Sequence, residues 1–295
     1  MKKFSQYVIE HNLGSIENNV SFKELTTIGC GGRIKVLYTP NSLDSLKMVF
    51  GYINEHEYPY FILGNGSNVL ASDRDYDGIV LQLKKMEYSF EVKGDILECS
   101  AFYPTIKLAH ELALLELGDL SFLGGIPGLL GGAIYNNSGA YLDEIKNHLL
   151  DVTYINSAGK LVTISKEECA FGYRKSIFHY IPGLIVSARL KLTKVKTLEL
   201  LEKRAKERRL AQPLECKSMG SIFKNNPLIS AWKVVDALGM RGFQMNDAAV
   251  SAKHANFIIN LGNAKSNEIL SLIHLIQKRA ELELGIKLLC EITMV

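Results

Sequence analysis

The sequence predicts an α+β fold made of two units, and three observations support this expectation. Runs with strand composition, such as IKVLY and YFILG, alternate with the helix-like run SLDSLKMVFGYINEH early in the chain. Shorter strands follow, and the chain closes with a long amphipathic helix from Ser266 and the strand IKLLCEITMV. The length of 295 residues exceeds that of one small core and suits two folding units.

The composition is that of an ordinary globular protein, because 47% hydrophobic and 22% charged residues exclude a disordered or fibrous chain. A net charge of only +3 argues against nucleic acid as a partner. The five cysteines are scattered without a C-x-x-C pair, so neither a disulfide framework nor a metal site is expected. Neither a signal peptide nor a membrane span is recognisable, which indicates a cytoplasmic protein without membrane insertion.

Local patterns predict the individual elements. Ser42 is a suitable N-cap for the first long helix, and DVTYIN and LVTIS predict a hairpin around Ala158 and Gly159. After the strand GLIVSARLKL the sequence pattern changes, which places a domain boundary near residue 195. A basic helix and a polar loop around QPLECKSMGSIFKNNP follow. The buried face of the closing helix is expected to consist of Ile269, Leu272, Ile273, Ile276 and Ala280.

GNGSN, at residues 64–68, is the first of two glycine-rich segments. It follows a strand, as the dinucleotide motif G-x-G-x-x-G does, but Val69 stands near the place of the third glycine and a strand follows instead of a helix. Two glycines still let the backbone approach a phosphate, and Ser67 and Asn68 offer side-chain donors. Taken alone, the loop is consistent with anion binding and equally with a tight structural turn.

The second segment, LGGIPGLLGGAIYNNSGAY, is rich in glycine but lacks the GK[ST] of a P-loop. Its glycines permit close backbone approach to a flat or phosphorylated group, whereas the interleaved Ile126, Leu129 and Tyr135 do not suit a flexible linker. Two such segments in one α+β unit suggest an extended cofactor.

These two segments, together with TTIGCGG, resemble the FAD-binding domain of the vanillyl-alcohol-oxidase type, also called the PCMH type. With FGYRKSIF, GSIFKN and SAKHANFIIN in order, the chain resembles the shorter form of the UDP-N-acetylenolpyruvoylglucosamine reductase family. The resemblance implies an N-terminal extension over residues 1–21 and an FAD-binding domain over 22–194, divided near residue 84. A smaller α+β substrate-binding domain would occupy 195–295.

The resemblance also implies non-covalent FAD held mainly by backbone atoms, with NADPH as the reductant. The cofactor-binding residues would be Gly64, Asn65, Gly66, Ser67, Asn68, Gly124, Gly125, Ile126, Pro127, Gly128, Gly131, Gly132, Asn136, Gly139 and Ala140.

Reduction of an enolpyruvyl ether needs a hydride at one carbon and a proton at its neighbour. The resemblance implies that flavin N5 supplies the hydride, Ser221 the proton, and that Arg174 and Glu291 stabilise the enolate. Without the family pattern, these would read as a serine in a polar turn, an arginine in a salt bridge and a glutamate at a strand end. Cys290 and Thr293 depart from the family's usual proline and basic residue beside the glutamate.

For the UDP-sugar, the resemblance implies contacts from Arg208, Asn225 and His254, with Tyr173 shaping the site. The extra asparagine of KNNP leaves open an exchange of roles between Asn225 and Asn226. The basic run that contains Arg208 is either a solvated helix face or a site for an anionic substrate.

The implied function is reduction of UDP-N-acetylenolpyruvoylglucosamine to UDP-N-acetylmuramate in peptidoglycan precursor synthesis, by an enzyme expected to be a monomer. An FAD oxidase or dehydrogenase acting on another alcohol or sugar is the alternative within the same fold. A flavin-storing or nucleotide-binding module without activity is the third interpretation, and it leaves Ser221, Arg174 and Glu291 without a role.

Overall fold

The computed structural model describes residues 1–295 and contains eight α-helices and seventeen strands. The helices are α1 Lys2–Glu10, α2 Phe22–Leu25, α3 Leu43–Glu55, α4 Thr105–Leu114, α5 Leu130–Tyr135, α6 Leu198–Ala211, α7 Ala231–Ala237 and α8 Ser266–Leu284. The strands are β1 Gly14–Glu17, β2 Ile34–Pro40, β3 Tyr60–Leu63, β4 Val69–Leu70, β5 Tyr76–Gln82, β6 Phe90–Lys93, β7 Ile96–Ser100, β8 Gly139–Ala140, β9 Asp143–Glu144, β10 Leu149–Asn156, β11 Leu161–Ser165, β12 Gly183–Lys191, β13 Lys217–Ser221, β14 Gln244–Met245, β15 Ala248–Val250, β16 Phe257–Asn260 and β17 Thr293–Met294. No helix is both long enough and apolar enough to cross a membrane.

The chain forms two compact units, and neither is a continuous stretch of sequence. The first unit comprises Met1–Asn18, Lys35–Asn65 and Asp77–Ala205. The second comprises Asn19–Ile34, Gly66–Tyr76 and Lys206–Val295. The chain enters the second unit for the last time within α6, about ten residues after the change in sequence pattern near residue 195.

Two large sheets and the small two-stranded sheet β8-β9 lie in the first unit. One has the strand order β1-β2-β5-β3, with β1 and β2 antiparallel and β3 and β5 parallel. The other is an antiparallel sheet with the order β11-β10-β12-β7-β6. The predicted hairpin is confirmed, because β10 and β11 pair in register from Asp151↔Ser165 to Ile155↔Leu161.

Burial in the first unit follows the apolar pattern of its elements. The predicted N-cap of α3 is confirmed, since the Ser42 side chain accepts a hydrogen bond from the backbone N–H of Ser45. Leu46, Val49, Phe50 and Ile53 of this helix are buried, which fits its helical spacing. The composition of YFILG predicts a buried strand, but only Leu63 is buried there, and β3 lies at the edge of its sheet.

The second unit packs α7 and α8 with an antiparallel sheet of order β13-β16-β15-β14. The predicted face of α8 is confirmed, because all five of its expected apolar residues are buried. Ile28, Cys30 and Leu70 share this core, which explains why two early segments of the chain belong to this unit. Asp73 also accepts hydrogen bonds from the first two backbone N–H groups of α8.

Two predictions about the C-terminal region are wrong. The expected polar loop contains β13, in which Met219 is buried against the second unit's core. The expected final strand IKLLCEITMV is mostly irregular, with one bridge from Cys290 to Phe223 and the short β17 paired parallel to β4. Pairing partners that change within ten residues prevent one continuous strand, so Glu291 lies between two short pairings.

Candidate active site

Ser221 and Glu291 lie on neighbouring stretches of backbone in the second unit. Ser221 ends β13 opposite Phe257 of β16. The N–H of Glu291 donates to the carbonyl of Ile222 at 2.8 Å, directly beside the serine. The structure therefore brings together two of the three predicted catalytic residues.

Buried Asn256 fixes the backbone that follows Ser221. Its side-chain amide donates to the carbonyl of Phe223 at 2.8 Å and accepts from the N–H of the same residue at 2.9 Å. The N–H of Ile222 donates to the Asn256 carbonyl. The Asn256 side chain thus makes the hydrogen bonds that a neighbouring strand would otherwise make. Its role was not predicted from the sequence, although it ends the motif AKHAN.

The irregular segment around Glu291 is tied to the first glycine motif. The Asn68 side-chain amide donates to the Glu291 carbonyl at 3.2 Å, and the N–H of Thr293 donates to the Asn68 carbonyl at 2.9 Å. The pairing beside Cys290 uses the Leu289 carbonyl and the Glu291 N–H. The proline of the family pattern would lose no hydrogen bond of this pairing, so cysteine in its place preserves the local backbone.

Arg174 lies in the first unit, on a tight turn between Gly172 and Lys175, whose backbone groups bond to each other. Its φ of +54° is in the left-handed region, which non-glycine residues rarely adopt. The guanidinium donates to the Gly139 carbonyl at 2.8 Å and to the Asn137 carbonyl at 3.3 Å. The Tyr173 ring lies 5.0 Å from it. These contacts join the predicted GYR motif to the end of the second glycine segment.

The glycines of the second segment have different surroundings. A Cβ on Gly124 would stand 2.3 Å from the Leu201 side chain, which would have to move, and one on Gly131 would stand 3.1 Å from Ala101, which is a tight contact. Gly132 is exposed, and a Cβ there would meet no protein atom within 4 Å. The glycine-rich sequence predicts a loop here, but Gly131 and Gly132 lie inside α5.

Two features of the first unit fit an FAD cofactor. Glycine inside a helix costs about 0.5–1 kcal/mol relative to alanine, and no protein neighbour explains this cost at Gly132. The buried Oε1 atom of Gln82 lacks a hydrogen-bond partner, and Gln82 lies opposite Leu63, the residue before Gly64. The open space beside Gly132 suits a flat ligand, and the unpaired acceptor of Gln82 suits a ligand that carries hydrogen-bond donors.

Gly66, in the first glycine motif, is explained by packing within the second unit. Its φ is +65°, and a Cβ there would stand 2.3 Å from the Leu25 carbonyl oxygen. The N–H of Thr27 donates to the Gly66 carbonyl at 3.1 Å. The structural-turn interpretation therefore accounts for this glycine, whereas Gly64 has only ordinary contact with Leu129.

His254 and Arg208 form a second polar region of the second unit. Burial lowers the pKa of His254 below its ordinary value of 6.5, and the positive charges of Arg241 and Arg208 lower it further. Its Nδ1 accepts from the N–H of Asn256 at 3.2 Å, so Nε2 carries the proton in the neutral ring. The structure thus brings Arg208 and His254 within electrostatic range of each other.

Both asparagines of KNNP accept hydrogen bonds from backbone N–H groups through their side chains. Asn225 Oδ1 accepts from the N–H of Ala231 at the start of α7, and Asn226 Oδ1 accepts from the N–H of Leu228.

Within the basic run of α6, Arg204 does not simply face solvent, because its guanidinium lies 4.1 Å from the Tyr141 ring and donates to Ser121.

Comparison with known proteins adds a decisive observation. Residues 212–295 match the pattern of the UDP-N-acetylenolpyruvoylglucosamine reductase C-terminal domain, and residues 34–165 match an FAD binding domain. The UDP-N-acetylenolpyruvoylglucosamine reductase of Syntrophomonas wolfei is 34% identical over 95% of each chain. The chain belongs to the UDP-N-acetylenolpyruvoylglucosamine reductase family. Membership of this family makes it a flavoprotein oxidoreductase and places it in peptidoglycan precursor synthesis.

Further members of the reductase family support the same assignment. The Chlamydia trachomatis serovar L2 reductase is 36% identical over 95% of this chain and 96% of its own. The crystal structure of the reductase from Thermus caldophilus has a TM-score of 0.80 at 32% identity and covers 95% of this chain and 99% of that one. The expected resemblance and fold class, a PCMH-type FAD-binding domain with a smaller α+β domain, are confirmed.

Proposed function

We propose that this chain reduces UDP-N-acetylenolpyruvoylglucosamine to UDP-N-acetylmuramate with NADPH. The observation that carries the proposal is the backbone bond from Glu291 to Ile222, which holds the glutamate beside Ser221 in a chain similar to such reductases over nearly its whole length. In this proposal the Ser221 hydroxyl and the Glu291 carboxylate both face the substrate, which suits protonation next to a developing enolate.

Each polar residue has a distinct task in this reaction. FAD, when bound, supplies the two-electron chemistry that passes a hydride from NADPH to the enolpyruvyl double bond. Ser221 delivers the proton to the adjacent carbon. Arg174 and Glu291 stabilise the charge that develops on the carboxylate side, for which the planar guanidinium fork is suited. The FAD-binding residues named from the sequence hold the cofactor, with Gly132 leaving it space.

We assign substrate binding to a separate group of residues. Arg208 meets the diphosphate, and neutral His254 offers an Nε2 donor to the UDP-sugar. Asn225 and Tyr173 complete the contacts. All five cysteines are free thiols, which is typical of a reducing compartment, and we place the reaction in the cytoplasm.

The test is NADPH consumption by the purified protein with and without the UDP-enolpyruvyl sugar. We expect oxidation that depends on the sugar and a product that has gained two hydrogen atoms by mass spectrometry. NADPH oxidation with oxygen as the only acceptor, or reduction of the flavin by another alcohol or sugar in place of NADPH, contradicts the proposal. The latter result would favour a different FAD dehydrogenase on the same fold.

A further inference from the structure

Asn137, a residue that the family pattern did not single out, is fully buried and uses every polar group of its side chain. Its Nδ2 donates to Glu144 Oε2 at 2.9 Å and to the Gly172 carbonyl at 3.0 Å. Its Oδ1 accepts from the N–H of Lys146 at 3.1 Å. Only an amide in this orientation satisfies two acceptors and one donor, so neither aspartate nor leucine could replace it.

The partners of Asn137 lie on both sides of Arg174. Gly172 begins the tight turn that carries the arginine, and the Asn137 carbonyl itself accepts from Arg174 Nη1. The second guanidinium bond goes to the Gly139 carbonyl, whose strand β8 pairs with β9 in the register Gly139↔Glu144. Asn137 therefore fixes the base of the arginine's turn and the carbonyls that hold its guanidinium.

A second contact anchors the β8–β9 hairpin. Asp143 accepts hydrogen bonds from Asn147 and from His148, each at 2.9 Å. Burial acts to raise the pKa of Asp143, but these hydrogen bonds outweigh it and leave the pKa below its ordinary value. The hairpin that presents the Gly139 carbonyl is thus held at both residues of β9, and the turn of Arg174 depends on Asn137.

We propose that Asn137 is a positioning residue for Arg174, and this inference rests on the role of Arg174 in the proposed function. A left-handed arginine on a two-residue turn is held in place only if its surroundings over-determine it. Asn137 supplies that constraint, so the guanidinium is already in place when negative charge develops on the substrate.

The test uses Asn137→Gly, because glycine tolerates the native φ of +42° and keeps the backbone while removing the amide. In anaerobic stopped flow, we expect reoxidation of the reduced flavin by the UDP-enolpyruvyl substrate to slow by roughly 10–100-fold, with KM little changed. Reduction by NADPH should stay within about twofold of wild type. Wild-type reoxidation in Asn137→Gly would overturn the inference.

A double-mutant cycle with Arg174→Ala separates this role from a general structural one. If Asn137 acts through Arg174, Asn137→Gly should cause no further loss in the Arg174→Ala background. An equal loss in both backgrounds overturns the inference. If Arg174→Ala itself reoxidises at the wild-type rate, the proposed role of Arg174 fails instead, so the two failures are distinguishable.

Hydrogen exchange gives a readout without turnover. In both apoprotein and FAD-loaded protein, Asn137→Gly should speed exchange of the Gly172 and Lys175 amides by about tenfold or more. Unchanged exchange contradicts the inference. Asn156→Ala is the matched control, because this half-buried asparagine caps the turn at Ala158 and Lys160 of the same unit and does not contact Arg174.

Asn137→Asp is a second variant that keeps the side-chain shape but loses the donors and faces Glu144 with a like charge. It should be slow, and Glu144→Gln in the same chain should recover part of the rate because the donor then comes from position 144. Failure of Glu144→Gln to recover any activity, with FAD content and melting temperature restored, would count against the inference.

Discussion

Ser221 acquires its proposed role from its surroundings, because a free serine hydroxyl is a very weak acid. It ends β13 where the backbone leaves the sheet register, after Gly220 with a φ of +77°. Asn256 then holds the next two residues through three hydrogen bonds. Ser221 thus stands on a rigid backbone that neighbours the backbone of Glu291, as a positioned proton donor requires.

Ser221→Ala should separate the two half-reactions, because reduction of the flavin by NADPH needs no proton from this hydroxyl. We expect near-normal bleaching by NADPH and reoxidation by the enolpyruvyl substrate slower by roughly 10²–10⁴-fold in anaerobic stopped flow. Ser218→Ala on the same strand is the control and should leave both rates unchanged. Near-normal reoxidation in Ser221→Ala would mean that another group protonates the substrate.

Arg208→Ala and Arg174→Ala should have different kinetic signatures. Loss of a contact made equally in the ground state raises KM, whereas loss of a contact made in the transition state lowers kcat. We therefore expect a raised KM for Arg208→Ala and a lowered kcat for Arg174→Ala in steady-state assays. Arg209→Ala, on the next and exposed position of α6, is the control. A lowered kcat for Arg208→Ala with a raised KM for Arg174→Ala would show that the proposed roles of the two arginines are reversed.

The lowered pKa of His254 predicts how stability depends on pH. Since the unfolded chain binds a proton near pH 6.5 that the folded chain binds only at lower pH, the free energy of unfolding should fall as the pH drops below 6.5. Urea unfolding between about pH 8 and pH 5.5 measures this dependence. His254→Asn should show a smaller loss, and an identical loss in both proteins would contradict the assignment.

Helix α5 carries the clearest sign of the cofactor at the level of an element. Gly132→Val should abolish FAD retention, because the branched side chain would enter the space that we assign to the cofactor. The flavin absorbance of the purified protein measures this. Gly132→Ala should instead raise the free energy of unfolding of the apoprotein by about 0.5 kcal/mol. Wild-type FAD content in Gly132→Val would refute the assignment of this glycine.

Elements governed by local patterns could be predicted from the sequence. The spacing of apolar residues identifies the buried face of α8, and Ser42 marks the start of α3. The final segment could not be predicted, because the partners of Cys290 and Thr293 are Phe223 and Val69, far away in the chain. Apolar composition alone cannot distinguish one long strand from two short pairings.

The same limit applies to the candidate site. The family pattern singled out Ser221 and Glu291, and the structure places their backbones together. It did not single out Asn137 or Asn256, because a buried amide is defined by the backbone groups around it, and those come from other segments. The doubled asparagine of NNSGAY is the one local signal in the sequence, because asparagine adopts a positive φ more readily than most residues, as Asn137 does.

At the scale of the whole molecule, the two units are assembled from separated segments. Residues 19–34 and 66–76 join the C-terminal unit through Ile28, Cys30 and Leu70, and Asp73 caps its longest helix. The early boundaries have no counterpart in the sequence pattern, because such long-range packing leaves no periodic signal in a short segment. The first glycine motif consequently divides, with Gly64 and Asn65 in one unit and its remainder in the other.

An anaerobic flavin titration of the purified wild-type protein tests the proposed reductase activity most directly. We expect a flavin spectrum that NADPH bleaches and that one equivalent of UDP-N-acetylenolpyruvoylglucosamine restores, with FAD released intact on denaturation. Flavin that stays reduced after the UDP-enolpyruvyl sugar is added, although oxygen reoxidises it, would contradict the proposed reductase activity.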